Sequence, residues 1–356
     1  MLLDPADDWS LAQRIDDVLP GLSERLGERV DGETHGSAVE ISTDPHTAVG
    51  DAMDQVQSLR ATLSAELARA GLRPASAGTH PSAMWTEMRI AGGDRQQAVY
   101  GSMRELARRE PTFALHVHIG VDDPERAIEL YNRLRGHLAL LLALAANSPF
   151  WQGRDTGLAS ARVPIFQAFP RVGVPRRLDD YAEYVETVDL LLRCHAFPEP
   201  TFLWWDVRPQ PRFGTVEVRI MDAQTRVSAT AALVALLQSI ASLELEEGYL
   251  SPDRVGSPEV LAENRFIAAR DGVHARLIDP VLERAVPVPE ILENLLPALA
   301  PHADRLGCRD ALEDVAGLTS ESGSDEQLRV QEELGSLTGL VAFLADEFCA
   351  PAISRS

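Results

Sequence analysis

Alternation of apolar and polar residues marks the strands of this chain. In Leu115-His116-Val117-His118-Ile119-Gly120-Val121 the odd-numbered positions form an apolar stripe, and His116 and His118 project from the opposite face. In Thr215-Val216-Glu217-Val218-Arg219-Ile220-Met221, the residues Val216, Val218 and Ile220 point toward a core while Glu217 and Arg219 point away together. The run before it places Leu203, Trp205 and Val207 on one face and Trp204, Asp206 and Arg208 on the other, so 201–222 reads as two strands around a turn. In Val39-Glu40-Ile41 the pattern repeats on a smaller scale, with Glu40 opposite two core residues and Glu33 one irregular turn upstream.

The period lengthens between these strands. Residues 7–31 read as a short amphipathic helix and turn, 33–43 as a strand, and 46–71 as a long helix stopped by Gly71. Residues 73–81 read as strand then turn, followed by an arginine-rich helical stretch. Asp122-Asp123-Pro124 places acidic caps and a proline where helix starts favour them, and predicts a helix of about twenty residues. Residues 147–158 form a loop; 179–194 and 227–247 form helices. From 258 onward the pattern is almost entirely helical, with breaks at Pro280, Pro287, Pro289, Pro297 and Pro301, and "TSESGSDE" at 319–326 reads as an exposed loop. No internal repeat is visible. Strands with alternating rather than continuous apolar runs, separated by helices, predict an α+β protein around an antiparallel sheet. A single domain over 1–356, mostly helical from about 227, is the expected organisation.

Composition removes several classes of function. A net charge of −21 argues against nucleic acid or an anionic membrane surface as partner. The longest apolar run, Leu138 to Ala146, falls far short of the roughly 18 residues of a membrane span, and no signal-like segment opens the chain. Cys194, Cys308 and Cys349 are too scattered for a disulfide framework or zinc ribbon, and a cytoplasmic location is expected. All 33 basic residues are arginine. Without lysine there is no Walker-A loop and no Schiff base, so phosphate or carboxylate must be handled by guanidinium forks, backbone amides and metal ions.

If the polar faces line one sheet, that face carries Glu33, Glu40, His116, His118, Glu217 and Arg219. Such an oxygen-dominated set favours magnesium or manganese over zinc. A metal-dependent hydrolase is the competing reading, with His116 and His118 joined by His137, His195 or His274 around zinc.

The segments that carry these residues also carry a family resemblance. "THP" at 79–81, "HVHIGVDD" at 116–123, "NSPFWQGRDTGL" at 147–158, "WWDVRP" at 204–209, "TVEVRIMDAQT" at 215–225 and "AENRFIAARDGVHARLID" at 262–279 resemble the type 2 glutamate–cysteine ligases, carboxylate–amine ligases related to glutamine synthetase. The resemblance implies a curved antiparallel sheet with helices packed on one face, a glutamine synthetase-like fold whose concave face holds metal ions, ATP and an acid substrate. It implies Glu33, Glu40, His116 and Glu217 as metal ligands, Arg219 and Arg208 as catalytic anion contacts, and Arg154, Asp155 and His118 as substrate contacts. Asp206 and Asp222 are further candidates, although Asp222 falls on the core parity and could instead cap the following helix; Trp151, Trp204 and Trp205 are packing residues. The implied reaction uses ATP with magnesium or manganese to activate a carboxylate as an acyl phosphate, which an amine then displaces. Small amino-acid substrates and a homodimer are the expected partners. Members of the family also open with a strand like Gly-Val-Glu-Glu-Glu-Phe before a segment like Leu2-Leu3-Asp4-Pro5. The expectation is therefore that this strand is absent, that its neighbour becomes a sheet edge, and that ligase activity is weak or reduced to ligand binding.

Overall fold

Two of the polar-faced strands meet in one sheet. In the computed structural model, which describes residues 1–109 and 111–350, Thr215–Asp222 lies at the centre of a three-stranded antiparallel sheet. Val207–Gln210 flanks it on one side and Ala114–Gly120 on the other. Val207, Val216 and Val218 are fully buried, and Val117 nearly so. Helices Pro124–Leu134, Leu138–Ala145 and Val227–Glu247 pack behind them in one apolar cluster. The fold class is α+β, with the helices covering one face of the sheet as the alternation requires.

The helix after Asp123 starts as expected, with the Asp123 carboxylate accepting from the amides of Glu125 and Arg126 and Pro124 in the first turn. It ends early. In place of about twenty continuous residues, two helices meet at Gly136, where a Cβ would lie 2.6 Å from the side chains of Leu250 and Val255. Leu138–Ala145 is buried on every side, which explains why its sequence lacks a polar stripe. Val227–Glu247 is the one helix among the described residues long and apolar enough to cross a membrane, and 67% of its apolar window is buried in this core.

Other boundaries also differ from the expectation. Residues 33–38 are the turn of a small hairpin, Val30–Gly32 against Val39–Ile41, rather than part of one strand. Trp204–Trp205 pairs in parallel with Val172–Gly173, so the strand expected from 201 is broken before Val207–Gln210. Beyond residue 258 a hairpin of Arg276–Asp279 and Arg284–Pro287 interrupts the helices. Helix Val288–Leu306 then runs through Pro297 and Pro301, because Leu292, Leu295 and Leu299 hold it against the core. The segment 319–326 is not an exposed loop. The Ser322 hydroxyl accepts from the Asp325 amide and the Asp325 carboxylate from the Ser322 amide, a reciprocal cap that starts helix Gly323–Leu334.

Candidate active site

The three central strands bring their polar side chains into one line. Arg208 pairs in register with Glu217, and Glu217 with His118. Glu217 is only 2% exposed, so the face is not simply solvated. Its Oε2 accepts from Arg208 Nε at 2.6 Å and from Gln210 Nε2 at 2.9 Å, and Oε1 accepts from Arg219 Nη1. His116 Nδ1 and His118 Nε2 each lie 3.8 Å from Oε1. Burial alone would raise the Glu217 carboxyl, but the Arg219 and Arg208 guanidinium groups together hold it well below the usual carboxylate range. Burial, then the neighbouring Arg219, lowers Arg208 to about 10. The same two causes hold His116 well below an ordinary histidine. Burial also lowers His118, whose Nδ1 is 2.8 Å from the Thr215 hydroxyl. Both imidazoles are neutral near pH 7. One carboxylate thus faces two guanidinium groups, with the Glu33–Glu40 pair beside them, and Arg219 Nε is buried without an acceptor among the described residues.

Beside this cluster, the 30–41 hairpin places Glu40 Oε1 4.0 Å from His116 Nδ1. Desolvation first, then the charge and hydrogen bond of Glu33, raise Glu40 to about 8. With 47% of the Glu40 side chain open to water, crowding by Glu33 is the more robust of these causes. A divalent cation would replace a proton held between two crowded carboxyls, so Glu33 and Glu40 are the residues that would hold a magnesium ion, which would supply positive charge beside the site. Glu217 is held instead by guanidinium and amide donors on both its oxygens, so its carboxylate is paired before any metal ion arrives. Among the described residues, no three His, Cys, Asp or Glu side chains form a ready-made ion cage.

Asp222 has a different task from those expected. A β-bulge between Val218 and Met221 shifts the register, so Asp222 pairs with Ala114 and strict alternation from Val216 no longer applies. Its fully buried carboxylate accepts from the Asn147 amide at 2.9 Å and from the hydroxyls of Ser148 at 2.6 Å and Ser160 at 3.0 Å. Arg162 joins it and also donates to the carbonyls of Ile220 and Arg219. Asp222 therefore pins the 147–162 loop to the end of the sheet and does not cap the following helix, whose N-cap is Arg226. Asp206 is likewise structural, held by Arg265 Nε at 2.6 Å from helix Pro258–Asp271.

Arg154 and Asp155 sit on a hairpin turned by Gln152 and Gly153, both at positive φ. Both side chains are exposed, Arg154 has no partner among the described residues, and Asp155 accepts from the Gly157 amide. The contacts do not join either residue to Glu217. His137 is committed to Glu244 at 2.6 Å, His274 to Asp325 at 3.2 Å, and His195 ends a helix at positive φ. No zinc set forms around His116 and His118 from them. Gln210, Arg162 and Arg265 were missed in the sequence, because their roles depend on which carboxylate each meets.

Fixed guanidinium groups, two imidazoles and a carboxyl pair thus share one face of an antiparallel sheet, and comparison with known proteins gives the class. The structure resembles a glutamate–cysteine ligase from Francisella tularensis solved in complex with AMP, with a TM-score of 0.65, 12% identity and coverage of 91% of this chain and 82% of that one. It also resembles a bifunctional glutathione synthetase from Pasteurella multocida, with a TM-score of 0.62, 16% identity and coverage of 91% of this chain and 47% of that one. Residues 2–342 match the profile of glutamate–cysteine ligase family 2. A protein of Rubrobacter xylanophilus provisionally named glutamate–cysteine ligase 2-1 is 38% identical over 342 residues, covering 96% of this chain and 91% of its own. A counterpart from Solibacter usitatus is 37% identical, covering 90% of this chain and 84% of its own. The chain belongs to glutamate–cysteine ligase family 2, a family of ligase-type enzymes.

Proposed function

We propose that this protein uses ATP to join an amino-acid carboxylate to an amine through an acyl phosphate, with glutamate and cysteine as the pair its family's name indicates. The observation that carries the reading is Arg219, anchored through Nη1 on buried Glu217 with its side chain still partly open to solvent. Phosphoryl transfer spreads negative charge over the equatorial oxygens, and fixed cations stabilise that charge without reorganising. Arg219 meets this requirement. Arg208 is committed to Glu217 and to the carbonyls of Thr201 and Leu203, so it positions Glu217 rather than contacting the anion as the family resemblance implied.

A carboxylate oxygen of the acid attacks the γ-phosphorus of ATP and ADP leaves. The amine nitrogen then attacks the acyl carbon, phosphate leaves, and the nitrogen loses a proton. His118 lies partly open beside this face, and its neutral imidazole is the group available to accept that proton. Magnesium held by Glu33 and Glu40 would supply further neutralisation of phosphate charge. Replacing the amine with hydroxylamine tests the intermediate: ATP-dependent, acid-dependent hydroxamate formation is expected, and its absence under conditions where ATP binds overturns the reading.

A further inference from the structure

The hairpin end that joins Val207–Gln210 to Thr215–Asp222 supports the polar face from three positions. Gln210 donates to Glu217 Oε2 at 2.9 Å, and the Thr215 hydroxyl lies 2.8 Å from His118 Nδ1. Between them, Phe213 meets the His118 ring edge-to-face, with centroids 5.9 Å apart and planes at 81°. The backbone fixes where this ring can be. The Phe213 amide donates to the Gln210 carbonyl at 3.0 Å, and Gly214 turns the chain at a φ of 62°. The Gly214 carbonyl accepts from the Val121 amide at 2.9 Å, just past the strand that carries His118. Arg212 lies over the Phe213 ring at 5.5 Å. Phe213 serves no core. It is 62% exposed, more than any other large apolar side chain among the described residues, and packs in none of the three apolar clusters. Lone exposed rings are common on protein surfaces, but this one touches an imidazole of the polar face.

We infer that Phe213 is a positioning residue, which holds the His118 ring and keeps water from that flank of the reacting face, so that the activated acid meets the amine before it meets water. The assignment deepens the ligase reading and rests on it for the reaction that is protected. Water attacking the acyl carbon of an acyl phosphate breaks the same carbon–oxygen bond as the amine does. Phosphate leaves with the bonding pair, a proton is released and the free acid returns, so ATP is consumed without amide. An apolar ring at the edge of the site opposes this side reaction by displacing water, whereas a polar side chain there would hold water in place.

Phosphate released per amide formed, measured on the full chain with ATP, magnesium, glutamate and cysteine, tests the assignment. Phe213→Ala should raise that ratio by about threefold or more, and Phe213→Tyr, which keeps the ring, should leave it near the unmodified value. A ring with a purely structural role would change both rates together and leave the ratio fixed. An unchanged ratio in Phe213→Ala, or an equal rise in Phe213→Tyr, overturns the assignment. Diethyl pyrocarbonate gives a readout that needs no turnover. It acylates neutral imidazole, and peptide mass mapping follows His118 against exposed His46 as internal standard. His118 should react several times faster in Phe213→Ala than in the unmodified protein, and equal rates overturn the assignment whatever the ligase result. If the unmodified protein forms no hydroxamate while His118 reacts faster in Phe213→Ala, the ligase reading falls and the shielding of His118 by Phe213 stands.

Discussion

Arg208 and Glu217 face each other in register across neighbouring strands, Nε to Oε2 at 2.6 Å, with both side chains almost wholly removed from water. This geometry changes what a substitution at Glu217 should do. A polar residue on a wet sheet face could be replaced with little loss of stability. Here Glu217→Gln leaves Arg208 and Arg219 buried without a counter-charge and places an amide N–H toward existing donors. A loss of about 3–5 kcal/mol is expected, the range for breaking a buried pair. Urea unfolding of the two proteins measures it. A loss below about 1 kcal/mol, as for a surface pair, would mean that solvent reaches the cluster.

Neighbouring residues on Ala114–Gly120 should respond in opposite ways. Val117→Asp buries an unpaired charge in the main apolar cluster and should prevent folding or lower stability by more than about 4 kcal/mol. His116→Ala removes a neutral ring from the polar face and should cost about 1 kcal/mol. Thermal unfolding of both variants checks the pair, and similar losses would contradict the facing of this strand.

Asp222→Ala removes the acceptor shared by Asn147, Ser148, Ser160 and Arg162. Leaving Arg162 buried without its counter-charge should cost about 3–5 kcal/mol and open the 147–162 loop to proteolysis. Asp155→Ala, at an exposed position on the same loop, should stay within about 0.5 kcal/mol. Limited proteolysis of the two variants under one protease regime distinguishes a pinned loop from one that is merely ordered.

His80, in the "THP" segment, gives the fold an acid sensitivity. Its Nδ1 accepts from the amides of Ser82 and Ala83 and its Nε2 meets the Trp9 carbonyl, while burial first, and the nearby chain-start amine, lower it to about 4. The folded form holds it neutral, whereas the unfolded chain binds a proton below an ordinary histidine pKa of about 6.5. Stability from this residue is therefore complete above about pH 6.5 and is lost as pH falls toward 4, by on the order of 3 kcal/mol. His80→Asn keeps an acceptor but cannot titrate in this range, so its unfolding free energy should fall less between pH 7 and pH 4.5. Parallel slopes for the two proteins would exclude His80 as the source.

Much of this was legible in local periodicity. The opposed faces of Val117 and His116, and of Val218 and Glu217, follow from a two-residue repeat, and the Val227–Glu247 helix follows from its composition. What could not be read depended on partners distant in sequence. Asp206 cannot announce Arg265, nor Glu217 its pairing with Arg208, because desolvation and pairing are settled only in the folded core. The bulge after Val218 inserts one residue without a sequence mark and moves Asp222 to another register. Ser322 was misread for a different reason: the same Ser, Gly and Asp residues serve an exposed loop or a helix cap, and packing decides between them.

Arg219, on its Glu217 anchor, should stabilise the transfer of phosphate from ATP to a carboxylate. Glutamate labelled with 18O in its carboxylates, supplied with ATP, magnesium and cysteine, measures this directly, because an acyl phosphate carries one carboxylate oxygen into the released phosphate. The account predicts 18O in phosphate in proportion to amide formed, with both lost in a folded Arg219→Gln variant. Amide formed without label in phosphate, or an unchanged rate in Arg219→Gln, would contradict it.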